Sequence, residues 1–322
     1  KNDDKKHCVR GTKMKVKNVF IKHHDVAAGK WIYEGYKNAW ESLGYTTHYY
    51  NNLEEIKNFN EKYYLMCVDA VISNSNQLSA MEKSEKTFLF INANSFPDPW
   101  GRHPNFQCHC PDHIIKNLNN LENVFYWTFD IQRSEDPISY HKWEKTINTV
   151  PLAYDSMSYK PLENNNYAFD VCYVGGRANN GFDEKFKIML NYFKEFQHAN
   201  LKVGIFIDKN LSHEQENMVL FNSKVCLNIH DNYQRILATS DTNERTFKSL
   251  GCNGIMVSDR EGFIPKHFPD LPVCDSPQQM LELSQHYLQM HHDDLESIRD
   301  KYRNLILDNH TYINRVQQFL NL

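Results

Sequence analysis

Apolar residues along the chain fall into short runs, separated by polar loops and by longer stretches with helical spacing. VKNVFIKHH (16–24), THYYN (47–51), YLMCVDAVISNS (64–75), TFLFINANS (87–95) and NVFYWTF (123–129) predict strands with polar ends. Between the first two, KWIYEGYKNAWESLGY (30–45) places Trp31, Ile32, Tyr36, Ala39, Trp40 and Leu43 at helical spacing and stops at Gly44. LEEIKNF (53–59) predicts a shorter helix. Strand, polar loop and helix in repetition predict a parallel sheet with helical crossovers over residues 15–150.

TINTVPLAYDSMSYKPLENNNYAFD (146–170) breaks that rhythm with two prolines and a run of Asn, which predicts a linker centred on 151–168. A second series follows. FDVCYVGG (169–176), LKVGIFI (201–207), KVCLNIHD (224–231) and GIMVSD (254–259) predict strands. DEKFKIMLNYFKEF (183–196), SHEQENMVLFNS (212–223), ERTFKSLGC (244–252), SPQQMLELSQHYLQM (276–290) and DDLESIRDKYRNLIL (293–307) predict helices. HTYINRVQQFLNL (310–322) predicts a closing helix with Ile313, Val316, Phe319 and Leu320 inward. The expected fold class is α/β: two Rossmann-like domains, 15–150 and 169–309, facing each other across a cleft. Residues 1–14 read as a polar leader.

Composition narrows the partners. At 322 residues with 41% hydrophobic and 24% charged positions, two ordinary soluble domains are expected. A net charge of −4 argues against a chain held on nucleic acid mainly by phosphate neutralisation. No apolar run reaches the roughly 20 residues that span a membrane. Eight cysteines are scattered, and Cys67, Cys172 and Cys226 lie in strand-like runs. That is the usage of reduced core thiols and points to a cytoplasmic, reducing compartment. Cys108, His109 and Cys110 invite a metal reading, but their spacing is wrong for a zinc pair and a surface turn before Pro111 explains them as well. No metal is expected.

Ligands of open parallel sheets sit at the carboxyl ends of the strands. There VGGRANNGFDEK (174–185) offers Gly175 and Gly176, then Arg177, then Lys185 on the next helix. Glycines admit a ligand close to the backbone, a helix start offers unpaired N–H groups, and the two cations suit a diphosphate. The run is neither GxGxxG nor GxxxxGK[ST], and a Gly-containing turn with solvated cations remains open. TNERTFKSLGCNGIMVSD (242–259) places Asn243, Glu244, Arg245, Thr246 and Phe247 at another helix start. Asn243 as a cap and Glu244 as a favourable first-turn charge explain it blandly. Alternatively Glu244 takes hydrogen bonds from ribose hydroxyls while its neighbours face phosphate or sugar. His230 and Asp231 end a strand beside that site. His24 and Asp25, at the end of the first strand, are the candidate bases, although His23 and His24 also read as two polar residues closing a strand. Asn74, Ser75, Asn94 and Ser95 end later strands and are candidates for an acceptor site.

YVGG (173–176), KVCLNIHD (224–231), NERTFKSLGCNGIMVSD (243–259) and HTYINRVQQFL (310–320) resemble, in order and separation, the glycosyltransferase-like domain of the CgeB/YkvP group, within the two-Rossmann GT-B class. The resemblance covers about residues 146–322. It implies a nucleotide-diphosphate sugar, UDP- or GDP-linked by preference, bound mainly to the second domain. It also implies a carbohydrate or glycan acceptor, free or linked to protein or lipid, on the first domain, and catalysis without a bound metal. By resemblance Arg177 and Lys185 hold the diphosphate, and the closing helix braces the first domain. Where many retaining relatives carry a Glu-x7-Glu pair, Asp241 and Lys248 stand near the two places here, with one residue fewer between them; the second acid is absent, and Glu244, one turn before Lys248, is its substitute. Retention is favoured over inversion. The rival readings are a non-catalytic nucleotide- or sugar-binding assembly module and an enzyme that adds sugar to DNA bases.

Overall fold

The computed structural model describes residues 16–25, 27–95, 108–129, 139–177, 184–236 and 241–322; the polar leader and residues 178–183 of the glycine-rich stretch lie outside them. The first lobe contains β1 (Asn18–Lys22), α1 (Ala27–Ser42), β2 (Thr46–Tyr50), β3 (Tyr63–Val68), α2 (Leu78–Lys83), β4 (Lys86–Phe90), α3 (Asp112–Asn119), β5 (Val124–Thr128) and β6 (Ile147–Thr149). The second contains β7 (Val171–Gly175), α4 (Glu184–Phe196), β8 (Val203–Ile207), α5 (His213–Asn222), β9 (Val225–Asn228), α6 (Asn232–Ile236), α7 (Glu244–Cys252), β10 (Met256–Asp259), α8 (Phe263–His267), β11 (Val273–Cys274) and α9 (Pro277–Gln289). α10 (His292–Asn309) and α11 (Tyr312–Leu320) complete the chain.

Every strand pair is parallel. The orders are β2-β1-β3-β4-β5-β6 and β8-β7-β9-β10-β11. The two sheets are therefore built alike, as two Rossmann-like domains. Consecutive buried residues such as Val19, Phe20 and Ile21 suit strands covered on both faces. In each sheet the order reverses beside its first strand, so a crevice opens between β1 and β3 and between β7 and β9.

Residues 146–170, read as linker, are packed in part. Their start forms β6, paired with β5, and Val150, Leu152, Ala153 and Tyr154 are buried behind it. Tyr154 exchanges backbone hydrogen bonds with the start of α11, donating to the His310 carbonyl at 2.8 Å and accepting from Tyr312 at 3.1 Å. The prolines masked an apolar segment that packs as a seam. Arg315, buried on α11, donates to the carbonyls of Pro151 (2.9 Å) and Leu152 (3.1 Å).

α11 lies on α1. Phe319 reaches Phe88 and Trp127 at ring distances of 4.9 and 5.0 Å, and the Tyr312 ring covers Gly35 so closely that a Cβ there would overlap it. One apolar cluster continues from Val19, Met66 and Phe88 through this contact to Cys172, Phe247 and Leu250. Gly35→Ala is therefore expected to destabilise the protein by about 1–3 kcal/mol through overpacking, read from urea unfolding.

Candidate functional site

At the β7–β9 crevice, Arg245 holds the strand ends together. It leaves the first turn of α7 and donates from Nε to the Val174 carbonyl at 2.7 Å. Nη1 donates to Asn228 Oδ1 at 3.1 Å and to the Ile229 carbonyl at 3.2 Å. The guanidinium lies 4.5 Å from the Tyr173 ring centroid. A Cβ on Gly175 would overlap that guanidinium, which explains one glycine of the pair. Asn243 caps α7, its Oδ1 accepting from Thr246 N at 3.3 Å, while its Nδ2 donates to the Ile229 carbonyl at 3.3 Å. A capped helix start and a forked cation thus meet at the glycine turn, a setting that favours an anion.

Lys185 lies deeper, buried on the first turn of α4 and 3.3 Å from Asp231. Asn232 donates to Glu184 at 3.2 Å, so the starts of α4 and α6 are tied together beside the crevice. Gly176 and Arg177 are exposed at the rim. There the Arg177 amide and Nε donate to Asp208 at 3.1 and 2.7 Å.

Three residues placed by sequence on the ligand rim are interior instead. Phe247 is fully buried against Phe263 and His310, because the apolar face of α7 turns toward α8 and α10. Thr246 is fully buried against Thr242 and Asn228. His230 is fully buried with both ring nitrogens engaged, at 2.7 Å from Asp259 and 2.8 Å from Thr242. Asp259 itself escaped sequence reading. A carboxylate ending the apolar run GIMVSD was the signal, since buried acids require partners.

Glu244 points away from Arg245, into the seam between the lobes. Lys248 Nζ lies 3.5 Å from Glu244 and 3.3 Å from Glu216, and Tyr159 donates to Glu216 at 2.5 Å. Trp31 of α1 and Tyr159 flank the ammonium, with centroids at 5.8 and 5.2 Å. Burial pushes the Glu244 carboxyl up to about 6; Lys248 opposes the rise and Glu216 adds to it. Burial works against the charge of Lys248, but Glu216 and Glu244 outweigh it and its pKa is raised.

This pairing has a pH signature. The folded protein holds the Glu244 proton more tightly than the unfolded chain, whose ordinary value is 4.5. Its contribution is thus full below pH 4.5 and is lost as pH rises through about 6. Glu244→Gln, which cannot ionise, is expected to gain about 2 kcal/mol relative to wild type between pH 4.5 and 7, measured by urea unfolding across pH.

On the first lobe, His24 and Asp25 follow β1. His24 stacks on Tyr33 at 4.3 Å, and its Nε2 is buried without a partner. Burial, then Lys22 and His23, lower its pKa to about 4, so it is neutral at pH 7 and a weak base. Asp25 is exposed. Of the later strand-end residues, Asn74 and Ser75 are exposed, while Ser95 bridges Ser139. Among the described residues, no three His, Cys, Asp or Glu side chains gather so as to hold a metal ion. Burial pushes the Cys108 thiol up to about 12. No helix among the described residues is long and apolar enough to cross a membrane.

Comparison with known proteins gives a consistent result. No curated protein matches the chain. Solved structures do. One described as an OtsA apo structure is 9% identical, with a TM-score of 0.53 over 94% of this chain and 98% of the other. A glycosyltransferase from Rickettsia africae is 9% identical, with a TM-score of 0.51 over 95% and 97%. The DNA-modifying enzyme β-glucosyltransferase is 12% identical, with a TM-score of 0.50 over 94% and 97%. At such identities they show a shared fold, the two-lobed GT-B architecture. The family described as "Glycosyl transferase-like" matches residues 161–321, which hold β7 to β11 and every residue of the crevice. The chain belongs to this glycosyl transferase-like family.

Proposed function

We propose that this protein moves a sugar from a nucleoside-diphosphate sugar, UDP- or GDP-linked, to a hydroxyl of a carbohydrate acceptor, and that it falls in the CgeB/YkvP group. The observation that carries the reading is Arg245 beside the capped start of α7, at the reversal point of the second sheet. In the reaction the bond from the anomeric carbon to the diphosphate breaks and a bond to the acceptor oxygen forms. Charge builds on the leaving diphosphate, where Arg245, Arg177, Lys185 and the α7 amides can meet it without a metal. In a retaining course the acceptor proton passes to the departing phosphate. In an inverting course it passes to His24 or Asp25. The acceptor approaches from the first lobe. The free thiols of Cys67, Cys172, Cys226 and Cys252 suit a reducing, cytoplasmic setting.

The test is a panel of UDP- and GDP-sugars incubated with the protein in EDTA. Release of the nucleotide, by transfer or slow hydrolysis, is expected from one of them. Tight nucleotide binding with no turnover for any donor would favour a non-catalytic binding module. One observation speaks for that second reading: Lys248, near where the resembling retaining enzymes carry an acid, is locked between two carboxylates.

A further inference from the structure

A line of hydrogen bonds runs across the ends of three strands. Asp259 closes β10 and is fully buried. Its carboxylate accepts from the His230 amide at 3.1 Å to both oxygens, pairs with Arg235 Nε at 3.2 Å, and lies 2.7 Å from His230 Nδ1. The other ring nitrogen, Nε2, is hydrogen-bonded to the Thr242 hydroxyl at 2.8 Å. The Thr242 and Thr246 hydroxyls share a hydrogen bond at 2.7 Å, and Thr246 Oγ1 accepts from Asn228 Nδ2 at 2.8 Å. Asn228 Oδ1 accepts from Arg245 Nη1 at 3.1 Å. Arg245 on α7 and Asp259 on β10 are thus joined through Asn228, Thr246, Thr242 and His230. Such a network in a dry interior fixes one arrangement of its members.

We propose that Asp259, Thr242 and Asn228 are positioning residues, which set Arg245 and the first turn of α7 against the diphosphate of a nucleotide. The inference rests on the donor site proposed above. His230 serves the network through its ring and amide, with no need to touch sugar. Asn228 holds the fork of Arg245 directly; Asp259 and Thr242 act on it through the line.

Calorimetric titration of the full chain with UDP and with GDP tests this. Thr242→Val keeps the shape and removes the hydroxyl, and is expected to weaken nucleotide binding about tenfold. Thr242→Ser is expected to restore it, a rescue that a loss of general stability would not predict. Asn228→Asp gives Arg245 a carboxylate partner that competes with the diphosphate. It is expected to weaken binding by at least as much with the melting temperature preserved, and it decides the matter if Thr242→Val does not fold. Wild-type affinity in both Thr242→Val and Asn228→Asp would overturn the positioning role alone. A loss in Thr242→Val that Ser fails to restore would also overturn it. If wild type binds neither nucleotide, the donor site falls and this role with it.

Discussion

Arg245→Lys is expected to lower donor-dependent turnover by about 10²–10³-fold, the loss typical when a fixed donor to a developing negative charge is removed. Lysine keeps the charge but not the fork. Arg245 donates from two different nitrogens to three acceptors, at the ends of β7 and β9. A lysine ammonium cannot span them in that geometry. Gly175 would face a void, the Val174 carbonyl would lose the Arg245 donor, and the Ile229 carbonyl would keep Asn243 Nδ2 but lose Arg245. Stability should fall as well, by about 1.5–3 kcal/mol, because the acceptors lie in a partly buried crevice. Initial rates with a competent donor and urea unfolding of the same samples separate the two effects. Turnover equal to wild type would remove Arg245 from the site.

Lys248→Met is expected to be the most destabilising single change, at about 3–5 kcal/mol at pH 7. The ammonium is the shared partner of Glu216 and Glu244, 3.3 and 3.5 Å away. Without it two carboxylates face each other in the seam between the lobes, and Tyr159 supplies one of them with a single hydrogen bond. The loss should shrink at pH 5, where Glu244, already near 6, takes up a proton. A pH-independent loss would show that Lys248 acts through packing against Trp31 and Tyr159 and not through charge.

Much of this was legible in the residues. Buried strands announced themselves as apolar runs, and the glycine pair marked the end of β7, where Gly175 leaves room for the Arg245 guanidinium. Rotation about a helix axis was not legible. Glu244 and Arg245 are neighbours in sequence, yet successive helical residues do not share a face. Arg245 turns to the strand ends and Glu244 to the seam, where Lys248, four residues on, joins it. The sequence placed both acid and base on one ligand rim. Nor could pairing across the chain be read locally. Asp208, Asp231 and Asp259 each become partners of residues from other elements. β6 was hidden for another reason: Ile147, Asn148 and Thr149 are half-buried at a sheet edge and lead into a proline.

The decisive measurement is a crystal structure of the protein soaked with UDP or GDP. Both phosphates should lie at the gap between β7 and β9, within hydrogen-bonding reach of Arg245 and the first amides of α7. Well-ordered nucleotide bound anywhere else, with that gap still empty, would contradict the assignment.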